Sequence, residues 1–474
     1  ETQKWNEAKD KEIQGLWEKG TFSNEVLPPL IQPIKTRSVY KIKRTADEAV
    51  KRYKARLVAR GFLQRELADF QRFSPVVGFD TIRTILALTA LRGWDMRMLD
   101  FDFAQAYLNA SLHEGMWLEL PDTNSWTSST YDECVYHCHS DDGRIAVLVT
   151  YVDYSFFTGH YDQEIQRMRT HLLDKYEGQD LGVPEKLLGV RITTGESGIT
   201  LDQQLYAECI VAEGMGSVDL PTGHTPLGPD MSLSPREEHE EELNPSRFPY
   251  VTILDRLMFL AGMTRPDLSN SIRELGRRAA SPCMRHWRGL RHVLRYLAVT
   301  LDVCLHYGKG TETNDDNQQL LVGYSDSDWT DDIESRRSVT GYLLLFKNSR
   351  IVWRSKLQGM LTLSSSEAEW TAMVQGMRHC IHIRGSLGEM GLPQGTTPWF
   401  CDNRGAIPAA PITGLNGRTK HVDIKLKCSR EYLQQELFVL QYVPTTKQLA
   451  DAFTKRVSAS SQTEFNESIL ARGM

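Results

Sequence analysis

Six acidic residues stand where short apolar runs end or helical patterns begin. Two lie in the first half of the chain: Asp102 in LDFDFAQAYLNA and Asp153 in LVTYVDYS. The other four lie towards the C-terminus: Asp326 in VGYSDSDW, Glu369 in SSSEAEWTAM, Asp402 in FCDNRGA and Asp451 in QLADAFTK. Enzymes that transfer phosphoryl groups on nucleic acids often hold two Mg²⁺ ions between such carboxylates, because Mg²⁺ prefers hard oxygen ligands. Both sets therefore predict metal-dependent phosphoryl transfer.

The elements around these acids predict a mixed α/β chain. Apolar and β-branched runs predict strands at 54–62, 145–152, 320–324, 399–401 and 437–443, and a hairpin of 341–346 with 351–355. Helical periodicity predicts helices at 81–91, 284–298 and 366–377. The segment 216–248 is rich in Pro, Gly, Ser and Glu, which is typical of a linker or a long surface connection.

Basic side chains concentrate in two segments, although the net charge of the chain is −6. Residues 35–60 hold ten Lys or Arg, and residues 265–295 hold eight Arg. The predicted helix 284–298 has one apolar face, and its arginines lie elsewhere around it: Arg285, Arg288, Arg291 and Arg295. Such local patches suit binding to a phosphate backbone. A solvated charged surface is the alternative interpretation.

Other features of the sequence limit the class of protein. There is no run of 18 apolar residues, so neither a membrane-spanning helix nor a membrane partner is predicted. The N-terminus has no apolar signal region, and because it lacks a starting Met we expect a fragment or a processed piece. Eight scattered cysteines favour a reducing compartment, hence an intracellular protein of a cytoplasmic particle or of the nucleus. Cys134, His137, Cys138 and His139 form a candidate metal cluster, but a strand with a polar turn is the favoured interpretation.

Longer motifs follow one another along the chain. Within residues 39–91 these are VYKIKRTADEAVKRYKARLVARGF and FSPVVGFDTIRTILALTAL. The motifs that come after them are AQAYLNASLHEGMWLELP, TYVDY, YEGQDLGVPEKLLGVRI, MTRPDLSNSIRELGRRAASP, HWRGLRHVLRYLAVT, RRSVTGY, TKHVDIK and YVPTTKQLAD. In this order, and over nearly the whole chain, they resemble the reverse transcriptase and ribonuclease H region of copia-type retrotransposon Pol polyproteins. The resemblance implies a right-hand polymerase with fingers, palm and a helical thumb or connection. A ribonuclease H-like domain, a mixed five-stranded sheet with helices, would follow.

By this resemblance the chain divides into consecutive parts. Fingers and palm would span 1–215, the linker 216–248, the thumb or connection 249–317, the ribonuclease H-like domain 318–455 and a C-terminal tail 456–474. The partners implied are RNA, DNA, RNA–DNA hybrids and deoxynucleoside triphosphates. The implied cofactor is Mg²⁺, with Mn²⁺ as the substitute.

The resemblance assigns roles in the polymerase to individual residues of the first part. Asp102 would be the first metal ligand of the palm, and Asp153 would be the first Asp of the YVDD motif, on the hairpin that closes the palm. Tyr107 would lie under the sugar of the incoming nucleotide and reject a 2′-hydroxyl. Lys54 and Arg56 would contact the triphosphate from the fingers, where charge-assisted contacts are strong.

The resemblance also assigns the second acidic set to a ribonuclease H site. Asp326 would end the first strand, Glu369 would lie on the first helix, Asp402 would end the fourth strand and Asp451 would open the last helix. Asp328, Glu367 and Asp423 are competitors close to the same motifs. No residue stands out as the mobile catalytic His of some ribonucleases H, since His421 lies in another motif and suits a structural role.

Two departures from the family pattern affect the palm. Tyr154 stands where the YVDD motif has its second Asp, which removes one carboxylate. Between Asp102 and Asp153, only 51 positions apart, there is no LYGLKQ-like signature, and several tens of residues are missing near 122–135. A buried helix cannot be removed without exposing the core that it covered.

Two functional interpretations follow. The first is an enzyme that cleaves the RNA of RNA–DNA hybrids with Mg²⁺, its polymerase activity impaired. The second is a catalytically decayed relic, or a co-opted protein, that binds nucleic acid without chemistry. The four acids of the second set favour the first, whereas Tyr154 and the deletion favour the second.

Overall fold

The computed structural model describes residues 2–18, 36–44, 50–59, 76–101, 126–176, 178–215, 223–228, 230–310, 320–329, 335–362, 364–404, 430–469 and 471–472. Four residues named above lie outside these ranges: Asp102, Tyr107, His421 and Asp423. Of the segment 122–135, where residues are predicted to be missing, the structure describes the part from residue 126 onward.

The first elements are a helix and an antiparallel hairpin. Helix α1 spans Thr2–Glu18, and β1 (Thr36–Arg44) pairs with β2 (Val50–Ala59). Trp5 of α1 packs edge-on against Tyr40 and Tyr53, with ring centroids 5.1 and 4.6 Å apart. Aromatic contacts of this kind fasten the helix to the hairpin. Lys54 and Arg56 both belong to β2.

A six-stranded antiparallel sheet follows, which we call the first sheet. Its order is β4-β5-β6-β7-β3-β8, and its strands are β3 (Asp95–Phe101), β4 (Trp126–Ser128), β5 (Val135–His139), β6 (Ile145–Tyr151), β7 (Tyr154–Gly159) and β8 (Gly178–Gly182). The helices in the same part of the chain are α2 (Phe79–Arg92) and α3 (Asp162–Lys175). All residues of α2 from Thr81 to Ala90 are buried, as its apolar sequence requires.

The second sheet is also antiparallel and adjoins a group of helices. Its order is β18-β12-β11-β10-β9, formed by β9 (Lys186–Leu187), β10 (Val190–Gly195), β11 (Gly198–Asp202), β12 (Val303–Gly308) and β18 (Ala471–Arg472). The helices are α4 (Gln204–Met215), α5 (Tyr250–Met263), α6 (Ser269–Gly276) and α7 (Met284–Ala298), with a short 3₁₀ helix at Pro266–Leu268. These helices enclose a hydrophobic core of their own.

The segment that composition predicts as a linker contributes to that helical core. In its described part, 223–228 and 230–248, there is neither a helix nor a strand. Leu227, Leu233 and Leu243 are nevertheless buried among the residues of α5, α6 and α7. The segment therefore packs along the helices rather than hanging free of them.

The third sheet contains antiparallel and parallel pairs. Its order is β15-β14-β13-β16-β17, formed by β13 (Leu321–Asp328), β14 (Val339–Phe346), β15 (Ser349–Leu357), β16 (Thr397–Cys401) and β17 (Phe438–Tyr442). The first three strands form an antiparallel meander, and β16 and β17 run parallel to β13. Helix α8 (Ser365–Glu389) packs on the sheet. Two 3₁₀ helices, Thr445–Lys447 and Leu449–Phe453, and helix α9 (Ala459–Ile469) complete this part of the chain.

One hydrophobic core joins α2, the first sheet, part of the second sheet and the third sheet. At its centre the buried Arg83 of α2 donates hydrogen bonds to the carbonyl oxygens of Ile351 (2.8 Å), Gly262 (2.9 Å) and Met263 (3.1 Å). Its guanidinium lies 3.6 Å from the ring centroid of Trp353 and forms an ion pair with Asp80. Arg83 thereby ties the first sheet's helix to both the third sheet and α5.

The mixed helix-and-sheet class predicted from the sequence is confirmed, with shifted element ends. Strand β13 continues past Tyr324 to Asp328, and α8 continues past Met377 to Glu389. Helix α7 has the predicted ends, with Trp287, Leu290, Leu294 and Leu297 buried. None of the described helices combines the length and the apolar content needed to cross a bilayer.

Candidate metal centre

The topology of the third sheet brings the acids of the second set to one edge. Strands β13 and β16 are parallel neighbours, with Tyr324 opposite Phe400, so the carboxyl ends that carry Asp326 and Asp402 meet. Glu369 lies in the second turn of α8, which begins after Ser364, whose Oγ accepts a hydrogen bond from the Glu367 amide (3.2 Å). Asp451 lies in the 3₁₀ helix Leu449–Phe453 that packs on β13 and β14.

The carboxylates of these residues are close enough to share cations. Oxygen atoms of Asp326, Asp402 and Asp451 all lie within 4.8 Å of one another. A second group with the same spacing contains Glu369, the Cys401 sulfur and Asp402. Asp402 belongs to both groups and therefore joins the four acids into one centre.

Burial changes the protonation of the centre. The side chains of Asp326 and Glu369 are 3% and 5% exposed. Burial and the neighbouring carboxylates raise the pKa of Glu369 to about 9 and that of Asp451 to about 7. Burial also raises the pKa of Asp326 above its usual value, against the opposing effect of Lys455. A cation between these oxygens would relieve the crowding of negative charge.

The donor set fits a hard divalent cation such as Mg²⁺ or Mn²⁺ better than a soft one. Three of the four acids converge as carboxylates on one point, and oxygen is the ligand that Mg²⁺ prefers. Burial raises the pKa of the Cys401 thiol to about 12, so the sulfur is held protonated and is a poor ligand. The four acids predicted from the sequence could thus hold a divalent metal.

Side chains that the sequence analysis did not single out hold these acids in place. Thr454 Oγ1 donates a hydrogen bond to Asp326, and Thr445 Oγ1 donates one to Asp402 Oδ2 (2.8 Å). Gln448 Nε2 donates to the carbonyl oxygen of Ser325 (3.0 Å), which fixes the strand just before Asp326. All three lie within the motifs YVPTTKQLAD and QLADAFTK, so the motifs carried the signal, but no individual role could be read from them.

Gly341 allows the Asp451 segment to approach Asp326. It lies directly opposite Asp326 in the β13–β14 register. A Cβ atom at Gly341 would come within 2.6 Å of Thr454 Cγ2 and 2.9 Å of the Ala450 carbonyl oxygen. Residues with a side chain are therefore disfavoured there, which gives the glycine of the RRSVTGY motif a physical reason.

The two described competitors do not enter the centre. Asp328 is half-buried at the end of β13, and Glu367 is half-buried in the first turn of α8. Among the residues that the structure describes, neither belongs to a group of ligand atoms spaced for a metal. Asp423 and His421 lie outside the described residues.

In the first acidic set, the structure places Asp153 beside the end of β3. It lies in the turn between β6 and β7, after Val152, whose φ is 49°. The Phe101 amide donates a hydrogen bond to the Asp153 carbonyl oxygen (2.8 Å), so the chain position that precedes Asp102 adjoins this turn. Tyr154 faces Asp100 across the strands, and burial together with Asp100 and Asp153 raises its pKa.

The four arginines of α7 have different surroundings. Arg285 forms an ion pair with Glu240 and donates a hydrogen bond to Ser234, so its charge is already compensated. Arg288 is exposed, and Arg291 and Arg295 are half-buried. The last three are therefore the better candidates for contacts with phosphate.

The Cys/His cluster of β5 does not form a metal site among the described residues. Cys134 and Cys138 are buried, and the His139 ring nitrogen Nε2 lies 2.7 Å from the Glu389 carbonyl oxygen at the end of α8. This agrees with the favoured interpretation of these residues as part of a strand.

Comparison with known proteins places the chain in a family. Residues 20–129 match the family model described as reverse transcriptase (RNA-dependent DNA polymerase). The chain is 30% identical to the retrovirus-related Pol polyprotein from transposon TNT 1-94 of Nicotiana tabacum, over 95% of this chain and 36% of that protein. It is also 30% identical to the putative transposon Ty5-1 protein YCL074W of Saccharomyces cerevisiae, over 50% of this chain and 74% of that protein.

Among solved structures, a foamy viral protease-reverse transcriptase in complex with double-stranded DNA covers 93% of this chain and 70% of its own, at 13% identity and a TM-score of 0.46. The sequence matches identify the reverse transcriptase class. More narrowly, the chain belongs to the copia-type retrotransposon Pol polyproteins. It spans about a third of the length of the tobacco relative.

Proposed function

We propose that the acidic centre of the third sheet hydrolyses the RNA strand of RNA–DNA hybrids, as a ribonuclease H. The observation that carries this proposal is the convergence of Asp326, Asp402 and Asp451 within 4.8 Å, with Glu369 beside Asp402. A mixed sheet with two parallel strands after an antiparallel meander supports it, because it is the topology that brings these acids together.

The four acids would hold Mg²⁺, or Mn²⁺ in its place. When bound, the ions activate the attacking water and stabilise the leaving oxygen. The chain itself positions the acids. Thr454 orients Asp326, and Thr445 orients Asp402. Gly341, which has no side chain, lets the segment with Thr454 and Asp451 approach the sheet. Rigid placement of this kind matters because small displacements of reacting groups greatly reduce rates.

We also propose that polymerase activity is impaired. Asp102 and Asp153 would form the remaining metal site of the palm, with Lys54, Arg56 and Tyr107 around the deoxynucleoside triphosphate, but Tyr154 replaces a carboxylate. The match with the tobacco relative runs over 493 residues, more than the 474 of this chain, which supports a loss of residues relative to it. The parts 1–215 and 249–317 would then act in holding RNA, DNA or the hybrid.

The catalytically decayed binding protein remains the second candidate, and Tyr154 is the observation in its favour. It shares the nucleic-acid partners of the first proposal but requires no chemistry at Asp402. The two candidates therefore differ in one measurable property, the cleavage of a hybrid.

The deciding experiment compares the wild type with Asp402→Asn on a hybrid labelled in its RNA strand. Asn keeps the shape of Asp402 but removes the charge shared by both ligand groups, so Mg²⁺-dependent cleavage should fall at least about a hundredfold. Asp328→Asn, a change of the same type just outside the centre, is the matched control and should cleave like the wild type. The same preparations should show no primer extension with deoxynucleoside triphosphates.

Thermal unfolding of all three proteins establishes that each is folded. Equal cleavage by the wild type and Asp402→Asn would point to a contaminating nuclease and remove the assignment. Binding of the hybrid without any cleavage by the folded wild type would favour the second candidate instead.

A further inference from the structure

A lysine ammonium lies at the acidic centre. Lys455 Nζ lies 3.0 Å from Asp451 Oδ1 and 3.8 Å from Asp326 Oδ2. Its side chain is 38% exposed, so it reaches the centre from the solvent side and is not locked inside it. Two of the three converging carboxylates, those of Asp326 and Asp451, therefore already face a positive charge.

The residues on either side of Lys455 fix the backbone that carries it. Thr454, which is buried, donates its hydroxyl hydrogen to Asp326. The Arg456 guanidinium pairs with Glu274 of α6 (2.6 Å) and donates to the carbonyl oxygens of Gly228 (3.1 Å) and Met231 (2.5 Å). The chain is thus held by the sheet on one side of Lys455 and by the helical core on the other.

The side chain of Lys455 can change its conformation while its backbone stays in place, because it is 38% exposed. A lysine carries its charge on a flexible four-carbon stem, so the ammonium can leave the carboxylates without a change in the backbone. A divalent cation placed among the same oxygens would repel the ammonium at short range, where the interaction of charges is strong. The ammonium and a metal ion cannot both occupy the space between Asp326 and Asp451 at low energy.

We propose that Lys455 is a positioning residue of the acidic centre, which holds Asp326 and Asp451 together in the metal-free protein and competes with the divalent cation for their oxygens. The inference rests on the proposed ribonuclease function for its purpose, since it concerns the same centre. The test of this inference does not require hydrolysis, because competition between the ammonium and a divalent cation changes the binding of the divalent cation.

The test is a titration of metal-free protein with Mn²⁺, followed by the shift of the thermal unfolding midpoint, at a pH near 8. Lys455→Met keeps the length of the stem and removes the charge. We expect its unfolding midpoint without metal to be lower than that of the wild type, because the carboxylates lose their counter-charge. Half of its Mn²⁺-dependent stabilisation should be reached at about a tenfold lower Mn²⁺ concentration, because the competing cation is gone.

Two further variants separate charge from general effects. Lys455→Arg keeps the positive charge and should respond to Mn²⁺ like the wild type. Lys356→Met removes a lysine that is exposed on β15, outside the centre, and should also respond like the wild type. A fall in the Mn²⁺ midpoint for Lys455→Met alone supports the proposal. An unchanged midpoint, or an equal fall in Lys455→Arg, would overturn it.

The failure of this proposal is distinguishable from that of the proposed function. If the Mn²⁺ midpoint shifts as expected but the wild type does not cleave hybrids, Lys455 has the stated role in a centre that binds metal without hydrolysis. If hybrids are cleaved and Asp402→Asn is inactive while the midpoint of Lys455→Met is unchanged, the ribonuclease assignment stands and the role of Lys455 is refuted. Should Lys455→Met not fold, the comparison passes to Lys455→Gln with the same expectation.

Discussion

At the scale of single residues, the acidic centre combines function with a stability cost. Glu369 is buried next to Asp326 and Asp402, and these surroundings raise its pKa from a usual value near 4.5 to about 9. The folded chain therefore binds a proton that the unfolded chain releases between these pH values. The free energy of unfolding must fall as pH rises through this interval, because stability decreases with pH wherever the native state binds more protons.

This leads to a prediction for Glu369→Gln in the absence of divalent metal. The glutamine cannot ionise, so the variant should lose this pH dependence and, at pH 8, exceed the wild type in free energy of unfolding by on the order of 2 kcal/mol. The difference should vanish below about pH 4, where Glu369 is protonated in the unfolded chain as well as in the native state. Urea unfolding at several pH values, with metal chelated, measures it.

Glu367→Gln is the control, because Glu367 lies in the first turn of the same helix, outside the acidic centre. It should follow the pH dependence of the wild type. A Glu369→Gln variant that is less stable than the wild type at pH 8 would mean that favourable contacts hold the Glu369 side chain. The stability cost that we assign to the buried acid would then be wrong.

At the scale of elements, the local pattern predicts the existence of helices and strands better than their ends. The hairpin of β14 and β15 is predicted from two apolar runs on either side of Lys347, Asn348 and Ser349. In the structure, Lys347 and Asn348 form a two-residue turn with positive φ of 45° and 65°. Helix α7 follows from its apolar face. These features depend on neighbours along the chain, which the sequence displays directly.

The end of α8 depends instead on distant contacts. The prediction ends this helix at Met377, although it continues through Gly385 and Gly388, residues that disfavour helix. Beyond Met377, the side chains of Cys380, Ile383 and Leu387 are buried in the hydrophobic core that α8 shares with the third sheet. Packing on the third sheet thus overrides local propensity. Such contacts, like the Gly341–Thr454 approach, join residues far apart in sequence and leave no local pattern.

Helix α7 carries a prediction about nucleic-acid binding. If Arg288 and Arg295 contact phosphates, replacing each by Gln should reduce the slope of log K against log salt by about 0.7 to 0.9 per residue, because fewer counterions are released. Fluorescence anisotropy with a labelled duplex at several salt concentrations measures the slope. The control is Arg285→Gln, since Arg285 already pairs with Glu240 and should contribute little to the slope.

Unchanged affinity and salt slope in the Arg288 and Arg295 variants would show that this face of α7 is a solvated surface. A fall in slope for Arg285→Gln equal to that of the other two would show that its ion pair opens on binding. Thermal midpoints of the three variants exclude loss of fold as the cause.

At the scale of the whole molecule, hydrophobic packing extends across the predicted division of the chain. The first and third sheets share a hydrophobic core, and residue 318, where we predict that the ribonuclease H-like domain begins, lies between them in the sequence. Asp80 of α2 pairs with Arg83 and with Arg354 of β15, and it also lies 3.2 Å from His379 of α8. Burial alone would raise the pKa of Asp80, but these partners lower it below its usual value.

The shared core predicts that the two sheets unfold together. Removing one partner of a buried ion pair leaves an uncompensated charge and typically costs about 3 to 5 kcal/mol. Arg83→Met removes one of the three partners of Asp80, the one buried most deeply, and takes the guanidinium donor away from the Ile351 and Met263 carbonyl oxygens. The free energy of unfolding of Arg83→Met should fall by about 3 to 5 kcal/mol. Native-state hydrogen exchange should accelerate equally in β6 of the first sheet and β14 of the third.

Arg144→Met is the matched control, because Arg144 pairs with Asp142 at the surface, where the two side chains are 39% and 58% exposed. Such pairs contribute at most about 1 kcal/mol. Faster exchange in β6 with unchanged exchange in β14 would contradict the prediction and restore two independent domains.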